Sequence, residues 1–246
     1  MLPTPSGVVV LLSGGLDSCV LATALSVERD TRWDDEQQLH ALSIRYGQRH
    51  ARELHSATLI CDQLGIEQHD TLDLSVLRPA LAGHSSLTSD APVPEGHYSD
   101  ETMRSTIVHN RNAIMLMVAV GVAASRGMRY VATAVHAGDH AVYPDCRPAF
   151  IESASRTAQL GTEGHGDVIV LAPYSDAPKH QIVALGHRIG APMHLSWSCY
   201  QGGQVHCGRC GTCVERAEAF ALADVPDPTT YSDPDYWRQA VREYAR

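Results

Sequence analysis

The sequence predicts an α/β protein built on a doubly wound parallel sheet. Three observations predict it. The continuous apolar run Val8–Leu12 has the pattern of a strand buried on both faces. The turn Ser13-Gly14-Gly15 separates it from Leu16–Val27, where Leu16, Val20, Leu21, Ala24 and Leu25 recur at helical spacing. The same strand-then-helix alternation continues down the chain, which in one sheet means parallel strands joined by right-handed crossovers.

The elements follow in order. Leu39–Ile44 reads as the second strand. Ala51–Leu64 reads as a helix with Leu54, Thr58, Cys61 and Leu64 on one face, closed by Gly65. Gln68–Leu74 is a weaker third strand. Residues 75–110 have no period and are rich in Ser, Pro, His and Gly, the composition of a functional loop or lid. Arg111–Ser125 is an apolar helix, Tyr130–Val135 a strand, and 136–148 a polar loop. Ala149–Leu160 is a helix and Asp167–Leu171 a strand. Pro178–Ile189 is a helix with Asp176 as its expected N-cap, and Thr212–Leu222 is the last clear helix. Ligands of such sheets sit beyond the carboxyl ends of the strands. That directs attention to 13–18, 45–50, 136–147 and 172–179.

Composition narrows the function classes. The 246 residues suit one α/β domain over 1–195, with 196–246 as a metal-binding helical segment packed on the same domain. The chain is 44% hydrophobic and 19% charged, so it can bury a core and is not disordered. A net charge of −9 argues against a nucleic-acid or acidic-membrane surface. The longest apolar run, Ala113–Ala124, has 12 residues, too few to span a bilayer. The N-terminus lacks a basic n-region, so no signal peptide is expected. Seven cysteines, four of them between Cys199 and Cys213, fit a reduced, cytoplasmic compartment better than a disulfide framework. No direct nucleic-acid or membrane partner is expected.

Two motifs carry chemistry. In Ser13-Gly14-Gly15-Leu16-Asp17-Ser18 the glycines permit a tight turn and close backbone approach, and a helix N-terminus follows that suits phosphate. Ser13 and Ser18 add hydroxyl donors. Asp17 makes sense there with Mg²⁺ bridging it to a nucleotide. The competing reading is an ordinary strand–helix turn with Asp17 and Ser18 as capping residues. Cys199, Cys207, Cys210 and Cys213 are spaced C-x7-C-x2-C-x2-C, with Gly208 and Gly211 freeing the turns. Four thiolates complete a tetrahedral Zn²⁺ shell with no open position, so the zinc is expected to be structural. An iron–sulfur cluster is the rival, and independent buried thiols are a third reading. His206 is expected beside the shell or facing solvent.

The phosphate turn resembles the pyrophosphate loop of the N-type ATP pyrophosphatases. Further segments fall in one order: LLSGGLDS at 11–18, YGQRH at 46–50, SSLTSD at 85–90, NRN at 110–112, YPDCRPAF at 143–150, the segment ending at Lys179, and SCYQGGQVHCGRCGTCVERAEAF at 198–220. Together they resemble the 7-cyano-7-deazaguanine synthase family, QueC. The resemblance implies a Rossmann-like sheet of the adenine nucleotide alpha hydrolase type. It implies conversion of 7-carboxy-7-deazaguanine and ammonia to the nitrile in queuosine and deazapurine biosynthesis, with two ATP spent through an adenylated acid and an adenylated amide. A homodimer is also implied.

Residue roles follow from the motifs and the resemblance together. The nucleotide is assigned to Leu12, Ser13, Gly14, Gly15, Leu16, Asp17, Ser18, Arg45 and Lys179. Lys179 is the single lysine beside 18 arginines, and it follows a strand end. It suits a phosphate oxygen as a compact charge, against the plain alternative of a surface lysine. Asp17, Lys179 and Arg111 are the catalytic candidates, with Arg111 able to clamp a carboxylate or phosphate or simply to cap its helix. Asn112, Asp139, Tyr143, Asp145 and Arg147 are the substrate candidates. Cys146 is read as packing, because the reaction needs no protein nucleophile. His50, His136 and His140 lie on strand-end loops, where surface or packing roles are the ordinary expectation. The stretch HAGDHAV at 136–142 departs from the Cys-Glu-Thr-Asp type of many members, and His109 or Asn110, before Arg111, stands where the family often has Pro or Gly. These departures mark a subgroup and leave one other reading open, and the pyrophosphate loop taken alone permits a second. One is a relative that attaches a deazaguanine to another amine. The other is a tRNA-modifying ATP pyrophosphatase.

Overall fold

The computed structural model describes residues 7–33, 37–48, 52–81, 85–89, 91–98 and 104–245. Five parallel strands form its sheet: β1 (Val8–Leu11), β2 (Leu39–Arg45), β3 (Gln68–Asp73), β4 (Tyr130–Ala132) and β5 (Ile169–Leu171), in the order β3-β2-β1-β4-β5. The order reverses between β1 and β4, whose register pairs Val8 with Tyr130 and Val10 with Ala132. The predicted doubly wound sheet is therefore present, and its switch point lies where β1 hands over to the phosphate turn.

Alternation along β1 explains its unbroken apolar run. Val8, Val10 and Leu12 face a layer made by α1 (Leu16–Arg32), α2 (Arg52–Leu64), α6 (Lys179–Arg188) and α7 (Gly211–Leu222). Val9 faces α4 (Arg111–Ser125) and α5 (Pro148–Gly161) on the other side. A strand covered on both faces has no polar position to offer. Phe220 and Ala219 of α7 join the same core as α1, so the C-terminal segment packs into the sheet's own layer.

Several boundaries differ from expectation. Helix α1 runs five residues past Val27 to Arg32, and Arg29 there donates to the carbonyls of Leu64 and Gly65 at the end of α2. Helix α2 buries Ser56, Ala57, Ile60 and Cys61, while Thr58 is exposed. Small residues form its inner face, which an apolar count misplaces. Strand β4 stops at Ala132, and residues 133–136 turn away to form the cavity wall. Asp176 does not cap α6. Pro178 holds the N-cap position with no side-chain bond, and Asp176 precedes it in a turn closed from Ala177 N–H to the Tyr174 carbonyl. A helix after Leu222 was not anticipated, α8 (Tyr236–Tyr244), a short polar element entered through Asp233, whose carboxylate accepts from Tyr236 N–H.

Within segment 75–110 the described residues form local structure. A 3₁₀ turn at Ser75–Leu77 leads into the single helical turn α3 (Arg78–Leu81). Beyond it Ser85, Ser86, Leu87, Thr88, Val93, Thr106 and Val108 are buried. Gly96 N–H donates to the Arg209 carbonyl, pinning this segment to the cysteine region. No helix among the described residues is long and apolar enough to cross a membrane.

Candidate active site

A cavity of about 250 Å³ opens at the switch point. Its floor is the phosphate turn. Gly14 has φ +85°, and a Cβ there would stand 1.9 Å from the Glu53 carbonyl oxygen, so only glycine fits. Ser13 Oγ accepts from Gly15 N–H at 3.2 Å and lies 3.0 Å from Ser18 Oγ. No side chain caps the N-terminus of α1, and its first turn, which carries Asp17, lines the cavity through Leu16, Asp17 and Ser18.

A charged cluster stands beside this turn. Lys179 Nζ lies 3.2 Å from Asp17 Oδ2 and donates to Glu215 Oε2 at 2.9 Å. His136 Nε2 lies 3.9 Å from Asp17 Oδ2 and 3.7 Å from Asp139 Oδ1. His136 Nδ1 accepts from Gly138 N–H, which leaves Nε2 as the protonated nitrogen facing the two carboxylates. Asp139 accepts from the His136 backbone N–H and from Tyr98 Oη. Burial pushes Asp17 up, but Lys179 and His136 outweigh it and hold the carboxyl below its usual value. Burial works against the Lys179 ammonium too, yet Asp17 and Glu215 leave it well above an ordinary lysine. Asp17 Oδ1 is buried with no hydrogen-bond partner among the described residues.

The opposite wall is aromatic and carries Arg111. Its Nη1 donates to Tyr46 Oη at 3.2 Å, and its guanidinium lies 5.3 Å from that ring's centre. Burial disfavours its charge, but Tyr46, Tyr200 and Tyr143 hold it protonated. Asn110 precedes it at φ 59°, a left-handed conformation that asparagine tolerates. Glu53 also lines the cavity, and burial pushes its carboxyl up to about 7 against the pull of Arg111. Cys146 is buried and its thiol is driven up by that burial, which fits packing rather than nucleophilic attack.

The structure brings Leu12, Ser13, Gly15, Leu16, Asp17, Ser18, Arg111, Asn112, Asp139, Tyr143 and Lys179 to one cavity. Gly14 sits behind the turn against Glu53. Three more candidates lie outside the lining. Arg45 is exposed at the end of β2 and faces Asp73 at 3.7 Å. Asp145 accepts Asn112 N–H and so serves the start of α4. Arg147 is exposed, N-caps α5 and donates to the His140 carbonyl. His50 lies outside the described residues. His136 is the reverse case, buried in the charged cluster where a surface or packing role was expected. Glu215, Glu53, Tyr46, Tyr98 and Tyr200 were not anticipated in the lining. Tyr46 and Glu53 sit in or just after the YGQRH segment, and Glu215 sits two residues past Cys213. None of them carries a local signal of its own.

The four cysteines converge beneath this site, with all sulfurs within 4.8 Å of one another. Cys207 Sγ stands 3.9 Å from Cys213 Sγ. Cys207 N–H donates to Cys199 Sγ, and the N–H groups of Arg209 and Cys210 donate to Cys207 Sγ. Gly208 at φ +80° makes this turn possible, since a Cβ would meet the Asp233 carbonyl at 2.0 Å. The set can hold a metal ion. His206 is no ligand. It is buried rather than solvent-facing, its Nε2 accepts Ser198 N–H at 3.1 Å, and its ring lies against Trp197. Trp197 N–H in turn donates to the Gly14 carbonyl at 2.9 Å, tying the cysteine segment to the phosphate turn.

Comparison with known proteins bears on this site. The family described as "Queuosine biosynthesis protein QueC" matches residues 7–224. A 7-cyano-7-deazaguanine synthase of Rhizobium johnstonii is 48% identical over 96% of this chain and 97% of its own length. That of Brucella anthropi is 50% identical over 95% of this chain and 97% of its own. Among solved structures, the U34-tRNA thiolase NcsA from Methanococcus maripaludis with its 4Fe–4S cluster aligns with a TM-score of 0.49 at 18% identity, covering 98% of this chain and 70% of that one.

Proposed function

The chain belongs to the QueC family, and we propose that it is an ATP-dependent ligase converting 7-carboxy-7-deazaguanine and ammonia to 7-cyano-7-deazaguanine. The observation that carries this reading is near full-length identity of about half to relatives named for that reaction. The cavity supports it, because it joins a phosphate turn to an arginine-bearing aromatic wall.

The proposed chemistry runs in two rounds. The substrate carboxylate attacks the α-phosphorus of ATP, and the bond to the β-phosphate oxygen breaks to release pyrophosphate. Ammonia adds to the acyl carbon, AMP leaves, and a proton is lost, giving the amide. The amide oxygen then attacks the α-phosphorus of a second ATP, and the bond to the β-phosphate oxygen breaks to release a second pyrophosphate. Loss of AMP and the amide protons leaves the nitrile. Negative charge grows on the departing pyrophosphate each time, where fixed donors and cations lower the barrier most. The first-turn N–H groups of α1, Ser13, Ser18 and Lys179 are assigned that task. Asp17 and Asp139 would hold Mg²⁺, which supplies charge neutralisation at the phosphates, and the unpartnered Asp17 Oδ1 fits a cation. Arg111 is assigned the substrate carboxylate, with Tyr143 and Asn112 on the same wall. Arg45, Asp145 and Arg147 stay outside this assignment.

The cysteine set is assigned a structural Zn²⁺. A tetrahedral shell with Zn–S of about 2.3 Å sets sulfurs about 3.8 Å apart, which suits the Cys207–Cys213 separation of 3.9 Å. A cubane cluster would spread its thiolates wider. Residues 196–246 are read as a metal-stapled extension of the 1–195 domain, and the enzyme as a cytoplasmic homodimer. The test is incubation with ATP, Mg²⁺, ammonium and 7-carboxy-7-deazaguanine, following product mass and AMP. Two AMP per nitrile is expected, and no AMP with unchanged acid would reject the reading. Elemental analysis is expected to find one zinc per chain, and iron in its place would reject the metal assignment.

A further inference from the structure

Lys179 has two carboxylate partners, and they are not equivalent. Asp17 sits on the phosphate turn with one oxygen buried and unpartnered, open to a cation. Glu215 approaches from the other side, on α7, and among the described residues Lys179 is its one ion-pair partner. Both Lys179 and Glu215 are 13% exposed, so their attraction is only weakly screened.

The residues around Glu215 are unusually fixed. Helix α7 starts on Cys210, and Cys213 lies in its first turn. Thr212 Oγ1 donates to the Ser198 carbonyl at 2.7 Å. Arg216 is fully buried and donates to Ser196 Oγ, Ser198 Oγ and the Met193 carbonyl. Across the cavity, Gly138 leaves space for the carboxylate, since a Cβ there would stand 3.3 Å from Glu215 Oε1.

We propose that Glu215 is a positioning residue that keeps Lys179 aimed at the nucleotide phosphates while Asp17 is engaged by Mg²⁺. The inference rests on the reading of Lys179 as a phosphate contact. A buried ammonium that loses its compensating charge swings away toward solvent. Asp17 cannot prevent this once a cation claims it, whereas Glu215 lies on the far side of Lys179 and stays free to do so. The cysteine cluster thereby contributes to the phosphate site through one helical turn, without touching substrate.

The test is direct binding of Mg·ATP by titration calorimetry on the full-length, metal-loaded chain. Four proteins are compared: wild type, Glu215→Gln, Lys179→Ala and the double variant. Glu215→Gln is expected to weaken binding about tenfold, and to change it less than about twofold once Lys179 is already alanine. That non-additivity separates positioning of Lys179 from a general structural role. Unchanged or tighter binding in Glu215→Gln overturns the inference, as does the same loss in both backgrounds. Metal content and unfolding temperature report whether each variant is folded. If Glu215→Gln is not, Glu215→Asp retracts the carboxylate by one methylene and is held to the same cycle. Wild type that fails to bind Mg·ATP overturns the nucleotide reading itself, and this inference with it.

Discussion

Two charged clusters sit at opposite ends of the same sheet. At the amino end, His40 opens β2 beside Asp70 of β3 and Arg126 behind α4. Arg126 donates to Asp70 Oδ2 and to His40 Nδ1, and His69 Nε2 lies 2.8 Å from Ser43 Oγ. At the carboxyl end stand Asp17, His136, Asp139, Lys179 and Glu215. The residue types are nearly the same. The amino-end groups lie on regular strands and a helix end, and none of them lines the cavity. Asp17, His136, Asp139 and Lys179 sit where the chain leaves β1, β4 and the loop after β5, and Glu215 joins them from α7, around a cavity. An ion pair on regular structure fastens elements together, whereas one at strand carboxyl ends can exchange its partner for a ligand.

The largest effect expected of this contrast is on catalysis. Lys179→Ala should lower AMP formation by about 10²–10³-fold, the loss typical of removing one donor to developing negative charge. Folding should survive, because Asp17 keeps His136 nearby. AMP release under saturating ATP and acid measures it. Undiminished AMP would place the phosphate contact elsewhere and erase the distinction between the two ends.

The second effect is on stability and follows from Glu53. Burial raises its carboxyl to about 7 in the folded chain, against 4.5 for a free glutamate. A raised acid binds more protons folded than unfolded between these values. The stabilisation is therefore present below pH 4.5 and lost as pH rises to about 7. A shift of that size corresponds to about 3 kcal/mol at most. Denaturant unfolding of wild type should show this decline relative to Glu53→Gln, which lacks the titrating group. Parallel pH profiles for the two proteins would mean that Glu53 is solvated in the folded state.

How much of this was legible follows the same division. The alternation around β1, β2 and α4 was read correctly because apolar periodicity reports burial directly. The small-residue face of α2 and the early end of β4 escaped, since Ser56 and Ala57 carry little hydrophobic signal and Thr133–Val135 look like strand while serving as cavity wall. The phosphate turn and the cysteine set were legible from local spacing. His136, Glu215 and Glu53 were not, because each gains its meaning from a neighbour distant in sequence. His136 meets Asp17 across 119 residues, and Lys179 meets Glu215 across 36. Arg45, Asp145 and Arg147 lie near the strand ends but outside the cavity lining: Arg45 faces Asp73, Asp145 accepts Asn112 N–H and Arg147 donates to the His140 carbonyl.

The smallest expected effect belongs to the amino end and is the sharpest check on the contrast. Arg126 and Asp70 are 39% and 45% exposed, so solvent screens much of their attraction, and such pairs contribute about 0–1 kcal/mol. Arg126→Gln should therefore shift the denaturant midpoint only slightly. It should leave the affinity for Mg·ATP unchanged, because no residue of this cluster lines the cavity. His40 is the one buried member, and losing the Arg126 donor removes a bond to its Nδ1 while Gln68 Oε1 remains 3.2 Å away. That remaining partner confines the cost, provided Nδ1 then carries the proton. A loss of ATP affinity in Arg126→Gln, measured beside Lys179→Ala, would mean that the two ends of the sheet are coupled and that position relative to the strand ends does not by itself separate fastening charges from working ones.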